Sequence, residues 1–407
     1  MKHLERYGIE AMQLDNGLQI ILKKMSLPRV YCGLLVNCGS LYESEYMKGV
    51  SHFVEHLIGE EGKTRNRNSR LAYKISRDGG DLDASTYHQI TEYTLFADKQ
   101  FWFRDLRMFL DSIAELNFSR EEFYNEQSRI LAEIKEDSNG DVIVLKRVFP
   151  NHPLSWLLGG TKQSISAMSP NDIHHWYKKF YFPSRMVLVV VGDVSMKMIK
   201  RAVKLSQLYA MENGNDVSLP PKQDFNWEAE REIVGFEGNW EKMIYPAPLF
   251  GDAKDTFLYF LISNYLFGDI SAISLNREVA YEMGSYSGIA SELTITSCCS
   301  FFEIDLEASS QKNLAKIERR FMRWVKETSE GGIGNDMFRR LYLRRIADIK
   351  MLPGEDWLEL ISNAIVWGVM NNLEVFLDPC YIDRAELNRV MKKYFGGEYL
   401  VFNGRNS

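Results

Sequence analysis

Two histidines and a glutamate in the run Gly49-Val-Ser-His-Phe-Val-Glu-His56 carry the clearest chemical signal in this 407-residue chain. On a helix, His52 and His56 stand four residues apart and Glu55 follows His52 by three, so all three side chains leave one face. Neutral imidazoles bind Zn²⁺, and a carboxylate beside them can take a proton from a water that the metal has acidified. The alternative is an amphipathic helix whose histidines pack or face solvent without a chemical role. With only 7 histidines in the chain, this spacing is an uncommon coincidence.

A second acidic stretch lies downstream. Ser119-Arg-Glu-Glu122 has the capping-box pattern and predicts a helix starting there. That helix carries Glu126 and Glu133, two turns apart and therefore on one face. Either acid alone reads as a solvated surface group, and Glu133 as a metal ligand needs support from outside its own helix. Other suggestive residues have plainer readings. His174 and His175 are adjacent on a predicted helix and point apart. His88 reads as an exposed strand end, with contact to a peptide as the alternative. The basic run Lys63 to Arg70 reads as a solvated loop, or as a surface for acidic groups.

These residues need a scaffold. The length suits two domains of about 200 residues each. Hydrophobic residues make up 45% and charged residues 26%, as in ordinary globular proteins. The net charge of −6 argues against a nucleic-acid binder. No apolar run approaches the ~20 residues that span a bilayer, and the charged start lacks a secretory signal. The five cysteines (Cys32, Cys38, Cys298, Cys299 and Cys380) are odd in number and do not space like a disulfide scaffold. Cys298-Cys299 reads as two small residues facing opposite sides of a strand, with a redox or metal role as the alternative. A cytoplasmic location is expected.

In order, a hairpin is predicted over 12–23 about Asp15-Asn-Gly17, then a strand over 30–36 leading into the motif helix. Strands are predicted over 81–88 and 91–97, a helix over 101–116, and a helix opened by Ser169-Pro170. An apolar strand follows at 186–191. The segment 212–225 has linker chemistry and separates an N-terminal domain, 1–211, from a C-terminal domain, 226–407. The second half repeats the order: strands over 231–237 and 242–248, helices over 255–283, a strand pair over 286–307, and helices over 312–330 and 335–368. Trp176-Tyr-Lys-Lys-Phe180 and Met391-Lys-Lys-Tyr-Phe395 each precede an apolar strand, which points to a duplication. The predicted class is α+β, with two domains of similar topology, each a mostly antiparallel sheet packed with helices. The place equivalent to the motif helix, near Asp255, lacks histidines and paired acids.

The chain resembles the M16 family (pitrilysin-like, insulinase-like) of zinc metallopeptidases, in its short form related to the mitochondrial processing peptidase. The H-x-x-E-H order is the inverzincin signature. Gly39-Ser-Leu-Tyr-Glu43 and Gly49 to His56 match the family's G-S-x-x-E and G-x-x-H-F-x-E-H segments. Gly80-Asp-Leu-Asp-Ala-Ser-Thr86 is similar to its G-x-x-N-A-x-T strand, Glu126 to Glu133 to its E-x-x-x-(V/I)-(I/L)-x-E helix, and His152-Pro-Leu154, Gly160-Thr161 and Val189 to Asp193 follow in order. The resemblance implies His52, His56 and Glu133 as ligands of one Zn²⁺ per chain, Glu55 as general base and Glu126 as a supporting acid. It implies that Asp83, Ala84, Ser85 and Thr86 form a strand that pairs with an extended peptide substrate.

Two departures matter. Asp83 replaces the family's Asn. The family's second domain also offers an Arg and a Tyr seven apart to stabilise the tetrahedral intermediate; here Tyr286 fits, Val279 occupies the Arg position, and Arg277 serves only if the helix is shifted. The resemblance therefore implies a zinc endopeptidase acting on short or unfolded peptides in an enclosed chamber, a small ribosomally made peptide among the expected substrates. The alternative is a non-catalytic or partner-dependent subunit. Pairing with a second M16-like chain is expected, a heterodimer before a homodimer.

Overall fold

The structure is a computed structural model that describes residues 2–59, 71–134, 140–215, 217–218, 221–229, 232–234, 239–263, 275, 277 and 288–405. Its first sheet begins with the expected hairpin, Ile9–Gln13 (β1) and Gln19–Lys24 (β2), and continues with Arg29–Val36 (β3). Asp81–Thr86 (β4), Thr91–Asp98 (β5) and Met186–Gly192 (β6) complete it. Among the described residues the order is β1-β2-β6-β3-β5-β4, with β2 and β6 parallel and every other pair antiparallel. The near-continuous burial of Val187 to Val191 reflects a central strand with both faces covered.

The motif helix is Val50–Gly59 (α1), followed by Leu71–Arg77 (α2), Trp102–Ala114 (α3) and Arg120–Glu133 (α4). The capping box forms at the start of α4: the Glu122 amide donates to the Ser119 hydroxyl, and the Ser119 amide donates to the Glu122 carboxylate. Gly140–Val148 (α5), Lys162–Ala167 (α6), Pro170–Phe180 (α7) and Met196–Lys204 (α8) follow. Ser169 caps α7 with Pro170 at its first position, as its sequence predicts. Val50, Phe53, Val54 and Leu57 of α1 join the apolar core formed with β2, β3, β5 and β6.

The second sheet comprises Glu232–Val234 (β7), Trp240–Pro246 (β8), Gly288–Ile295 (β9), Ser300–Glu307 (β10) and Leu400–Arg405 (β11). Its order, β7-β11-β8-β10-β9, repeats β2-β6-β3-β5-β4, and the one parallel pair among the described strands of this sheet, β7 with β11, falls where β2 pairs in parallel with β6. The expected duplication is thus present in strand order and direction. The helices of this half include Ala253–Ile262 (α9), Gln311–Gly331 (α10), Asn335–Met351 (α11), Gly354–Val366 (α12) and Arg384–Val390 (α13).

Two sequence expectations are corrected. The helix predicted over 335–368 is two helices, because Pro353 breaks it between α11 and α12. Cys298 and Cys299 lie in the turn between β9 and β10, where the Thr296 hydroxyl accepts both cysteine amides. The basic run 63–70 lies outside the described residues. The chain forms two compact units: 1–142, 151–220 and 353–366 make the first, and 143–150, 221–352 and 367–407 the second. Each unit thus includes a segment from the other half of the sequence. In the first, α12 packs on β3 and β6. In the second, Phe149 packs on Phe301 and Phe225.

Candidate metal centre

The start of α1 is held by a carboxylate. Glu43 accepts hydrogen bonds from the amides of Gly49 (2.8 Å) and Ser51 (2.9 Å), satisfying donors that a helix N-terminus leaves open. Burial pushes the Glu43 carboxyl up to about 7, against the lowering effect of the two amides. Gly49 has φ of +86°, and a Cβ there would stand 2.5 Å from the Gly159 carbonyl oxygen, so only glycine fits. Phe53 on α1 stacks on Phe123 of α4 with ring centroids 5.0 Å apart, joining the two helices that carry the candidate ligands.

The side chains converge as the spacing predicts. His52 Nε2 and His56 Nε2 lie 3.2 Å apart, and Glu133 Oε2 lies 3.4 Å from His56 Nε2. Four ligands about 2.0–2.1 Å from a tetrahedral Zn²⁺ are about 3.3 Å from one another. Both separations fit such an ion. Glu55 Oε2 stands farther off, 3.8 Å from His52 Nε2. Among the described residues, His52, Glu55 and His56 form the one group of three metal-binding side chains whose ligand atoms all lie within 4.8 Å of one another. Glu133 closes on His56 from the end of α4, with its side chain half exposed.

Electrostatics separates the roles. Burial, with the neighbouring His56 ring, pushes His52 down to about 4, so at neutral pH the ring is the uncharged form a cation requires. His56 directs Nδ1 at the buried Glu126 carboxylate, 3.3 Å away, leaving Nε2 for the centre. The other oxygen of Glu126 accepts from Arg129 at 3.0 Å. Burial pushes Glu55 up to about 7, helped by Asp83 and Glu133 and opposed by His56 and by a 3.2 Å hydrogen bond from the Thr86 hydroxyl. A carboxyl balanced near neutrality can both take and return a proton.

Thr86 ends β4, the outer strand of the first sheet among the described residues. Opposite residues of an antiparallel pair share a face. Ala84 and Thr86, paired with the buried Tyr93 and Thr91, therefore face α1, whereas Asp83 and Ser85, paired with Thr94 and Glu92, face the other way. Asp83 Oδ1 accepts from the Ala84 amide at 2.9 Å, and Asp83 and Ser85 line a cavity of about 220 Å³ with Glu92, Glu355 and Glu359.

Arg277 is exposed on a helical residue of the second unit, and Tyr286 lies outside the described residues. His174 stacks on Phe118 at 4.7 Å. His88, expected as an exposed strand end, is turned inward instead, because its Nδ1 pairs with the buried Ser40 hydroxyl at 2.9 Å. Sequence reasoning missed three parts of the site: Glu43 as the cap of α1, Thr86 as donor to Glu55, and the Ser40–His88 pair. For Glu43 the signal was available, an acid just ahead of a helix start.

Comparison with known proteins agrees with this geometry. Residues 19–151 match the family model described as insulinase (peptidase family M16), and residues 167–341 match the one described as the peptidase M16 inactive domain. The chain is 26% identical over 202 residues to an uncharacterized zinc protease, YmxG, of Bacillus subtilis, covering 48% of this chain and 49% of that one. It is 27% identical over 197 residues to a probable mitochondrial-processing peptidase subunit beta of Arabidopsis thaliana, covering 47% and 37%. The chain thus spans half or less of the length of these two relatives. A crystal structure of a protease from Helicobacter pylori shares the fold, with a TM-score of 0.83 at 20% identity over 98% of this chain and 99% of that one.

Proposed function

The chain belongs to peptidase family M16, the insulinase family, and on that premise we propose that it is a zinc-dependent endopeptidase. The observation that carries the reading is the 3.2 Å approach of two imidazoles, with one carboxylate closing on them and a second standing beside them. His52, His56 and Glu133 would hold Zn²⁺, which supplies Lewis acidity to a water and to a peptide carbonyl. Glu55 takes the proton of the water as its oxygen attacks the carbonyl carbon. It returns a proton to the amine nitrogen as the carbon–nitrogen bond breaks. Glu126 fixes the orientation of His56, and the Thr86 hydroxyl holds Glu55 in place.

An extended peptide pairing along the edge of β4 accounts for the substrate class, because only short or unfolded chains can offer a free strand. We place this cleavage in a chamber closed by a second M16-like chain, whose second domain supplies the intermediate-stabilising groups that Arg277 and Tyr286 represent here. A heterodimer is preferred to a homodimer, since Val279 stands where the family carries Arg. A small ribosomally made peptide is the expected substrate. A cytoplasmic setting suits five free cysteines.

The test is zinc content and hydrolysis of an unstructured peptide by the wild type and by Glu55→Gln. About one zinc in each protein, with cleavage by the wild type alone, is expected. Absence of zinc from protein handled without chelator, or undiminished cleavage by Glu55→Gln, overturns the reading. Zinc in both with cleavage by neither directs the next assay to the partner chain.

A further inference from the structure

Residues 39–43 connect two parts of the first unit that a peptidase must keep aligned: the motif helix and the strand beside it. At one end, the Glu43 carboxylate takes the Gly49 and Ser51 amides and sets the start of α1. At the other, the segment grips the turn between β4 and β5. The Leu41 amide donates to the His88 carbonyl at 2.8 Å, the Ser40 amide donates to the Tyr87 carbonyl at 3.3 Å, and the Ser40 hydroxyl pairs with His88 Nδ1 at 2.9 Å. A Cβ on Gly39 would collide with the Tyr87 carbonyl, so the two stretches of backbone meet without room for a side chain. Burial pushes the His88 ring down to about 4, aided by the nearby His152. The neutral ring can therefore accept the Ser40 proton.

The backbone contacts set the distance between the segment and the turn. The side-chain pair adds direction, because a hydroxyl and a ring nitrogen bond only along a narrow set of angles. Thr86, two residues before His88, donates to Glu55 at 3.2 Å. A rotation of the turn would therefore be felt at Glu55 and along all six residues of β4.

We propose that Ser40 and His88 are positioning residues, whose hydrogen bond holds β4 in register with α1 so that a peptide laid along the strand presents its scissile bond to Glu55. The proposal rests on the peptidase reading for its consequence and on the geometry above for its mechanism. Misplacement of a reacting group by about 1 Å can cost about a hundredfold in rate. The expected effect is therefore on turnover rather than on metal binding.

The experiment uses the full chain as wild type, Ser40→Ala, His88→Ala, the double variant and His88→Asn. It measures zinc content, melting temperature, peptide hydrolysis and amide hydrogen exchange. Each alanine variant is expected to keep its zinc and to lose about tenfold or more in kcat, with KM changed less than threefold. The double variant should lose no more than either single one, since they break the same bond. His88→Asn, which keeps an acceptor near the Nδ1 position, should regain most of the rate. Amides of β4 should exchange about tenfold faster in the alanine variants while those of α1 do not change. Wild-type turnover and exchange in the alanine variants overturn the proposal. Joint loss of zinc, melting temperature and activity also overturns it, since that marks a purely structural bond. If the wild type cleaves no peptide, the peptidase reading fails separately, and exchange in β4 still decides whether the pair positions the strand.

Discussion

Helices α1 and α9 occupy equivalent places in two units built on one strand order, yet their polar groups are treated in opposite ways. On α1, two imidazoles face each other, and Glu55 accepts from the Thr86 hydroxyl. On α9, Asp255 is surrounded: Arg389 and Lys393 pair with it, and Tyr394 donates to it at 2.8 Å. Burial alone would raise the Asp255 carboxyl, but these donors hold it well below the usual carboxylate range. A polar group whose partners are all supplied by the fold contributes stability. A cluster left short of partners is a place for a ligand. The duplication supplied one scaffold twice, and among the described residues only the first copy gathers a group of metal-binding side chains.

The widest separation of the two helices should come from His56→Ala. It should abolish zinc binding and reduce peptide hydrolysis by more than about a thousandfold, with little effect on unfolding of the second unit. Retention of stoichiometric zinc by that variant would break the comparison. Asp255→Ala should do the reverse. Zinc content stays, and stability in a denaturant titration falls by about 2 kcal/mol, because hydrogen bonds to a charged acceptor are lost while Arg389 and Lys393 can regain water. The sign with pH follows from the lowered carboxyl: its contribution is present at neutral pH and is lost as the pH falls below about 4 toward the folded-state value. Wild type and variant should converge in acid.

Glu241 tests whether the second unit has no open group at all. It is buried on β8, and its Oε1 has no hydrogen-bond partner among the described residues. Burial, reinforced by Glu318, pushes its carboxyl up to about 7. The folded state therefore holds a proton the unfolded chain releases, and this contribution is lost as the pH rises through about 7. Glu241→Gln should stabilise the protein by about 1 kcal/mol at pH 8 and flatten that dependence. Loss of peptidase activity without loss of stability would place a functional group in the second unit. The smallest effect is expected at Asp83→Asn, less than about threefold in kcat/KM, since Asp83 is engaged with the Ala84 amide and faces away from α1.

The candidate site was legible because a helix converts spacing into direction: His52, Glu55 and His56 had to share a face, and a capping box marked where the helix of Glu126 and Glu133 begins. The duplication was legible in two short aromatic and basic runs, Trp176 to Phe180 and Met391 to Phe395, each leading into the strand that pairs in parallel. Tertiary pairings were not legible. His88 lies 48 residues from Ser40, and Thr86 lies 31 from Glu55, so no local pattern encodes those bonds. The division at 212–225 follows chain order, whereas α12 carries Leu358, Ser362 and their neighbours to the first sheet, where Ser362 donates to Glu92 at 2.7 Å. Pro353 was a visible stop for α11, but where the chain goes after it depends on a surface far back in the sequence.

That return has a consequence for synthesis. The first unit includes residues 353–366, so one face of the sheet behind the candidate metal centre lacks its helix until residue 366 has left the ribosome. Chains grow at about 5–20 residues per second and domains fold as they emerge. This unit is completed only after residues 221–352 of the second have been made, so a chain cut short before α12 lacks the helix that covers β3 and β6.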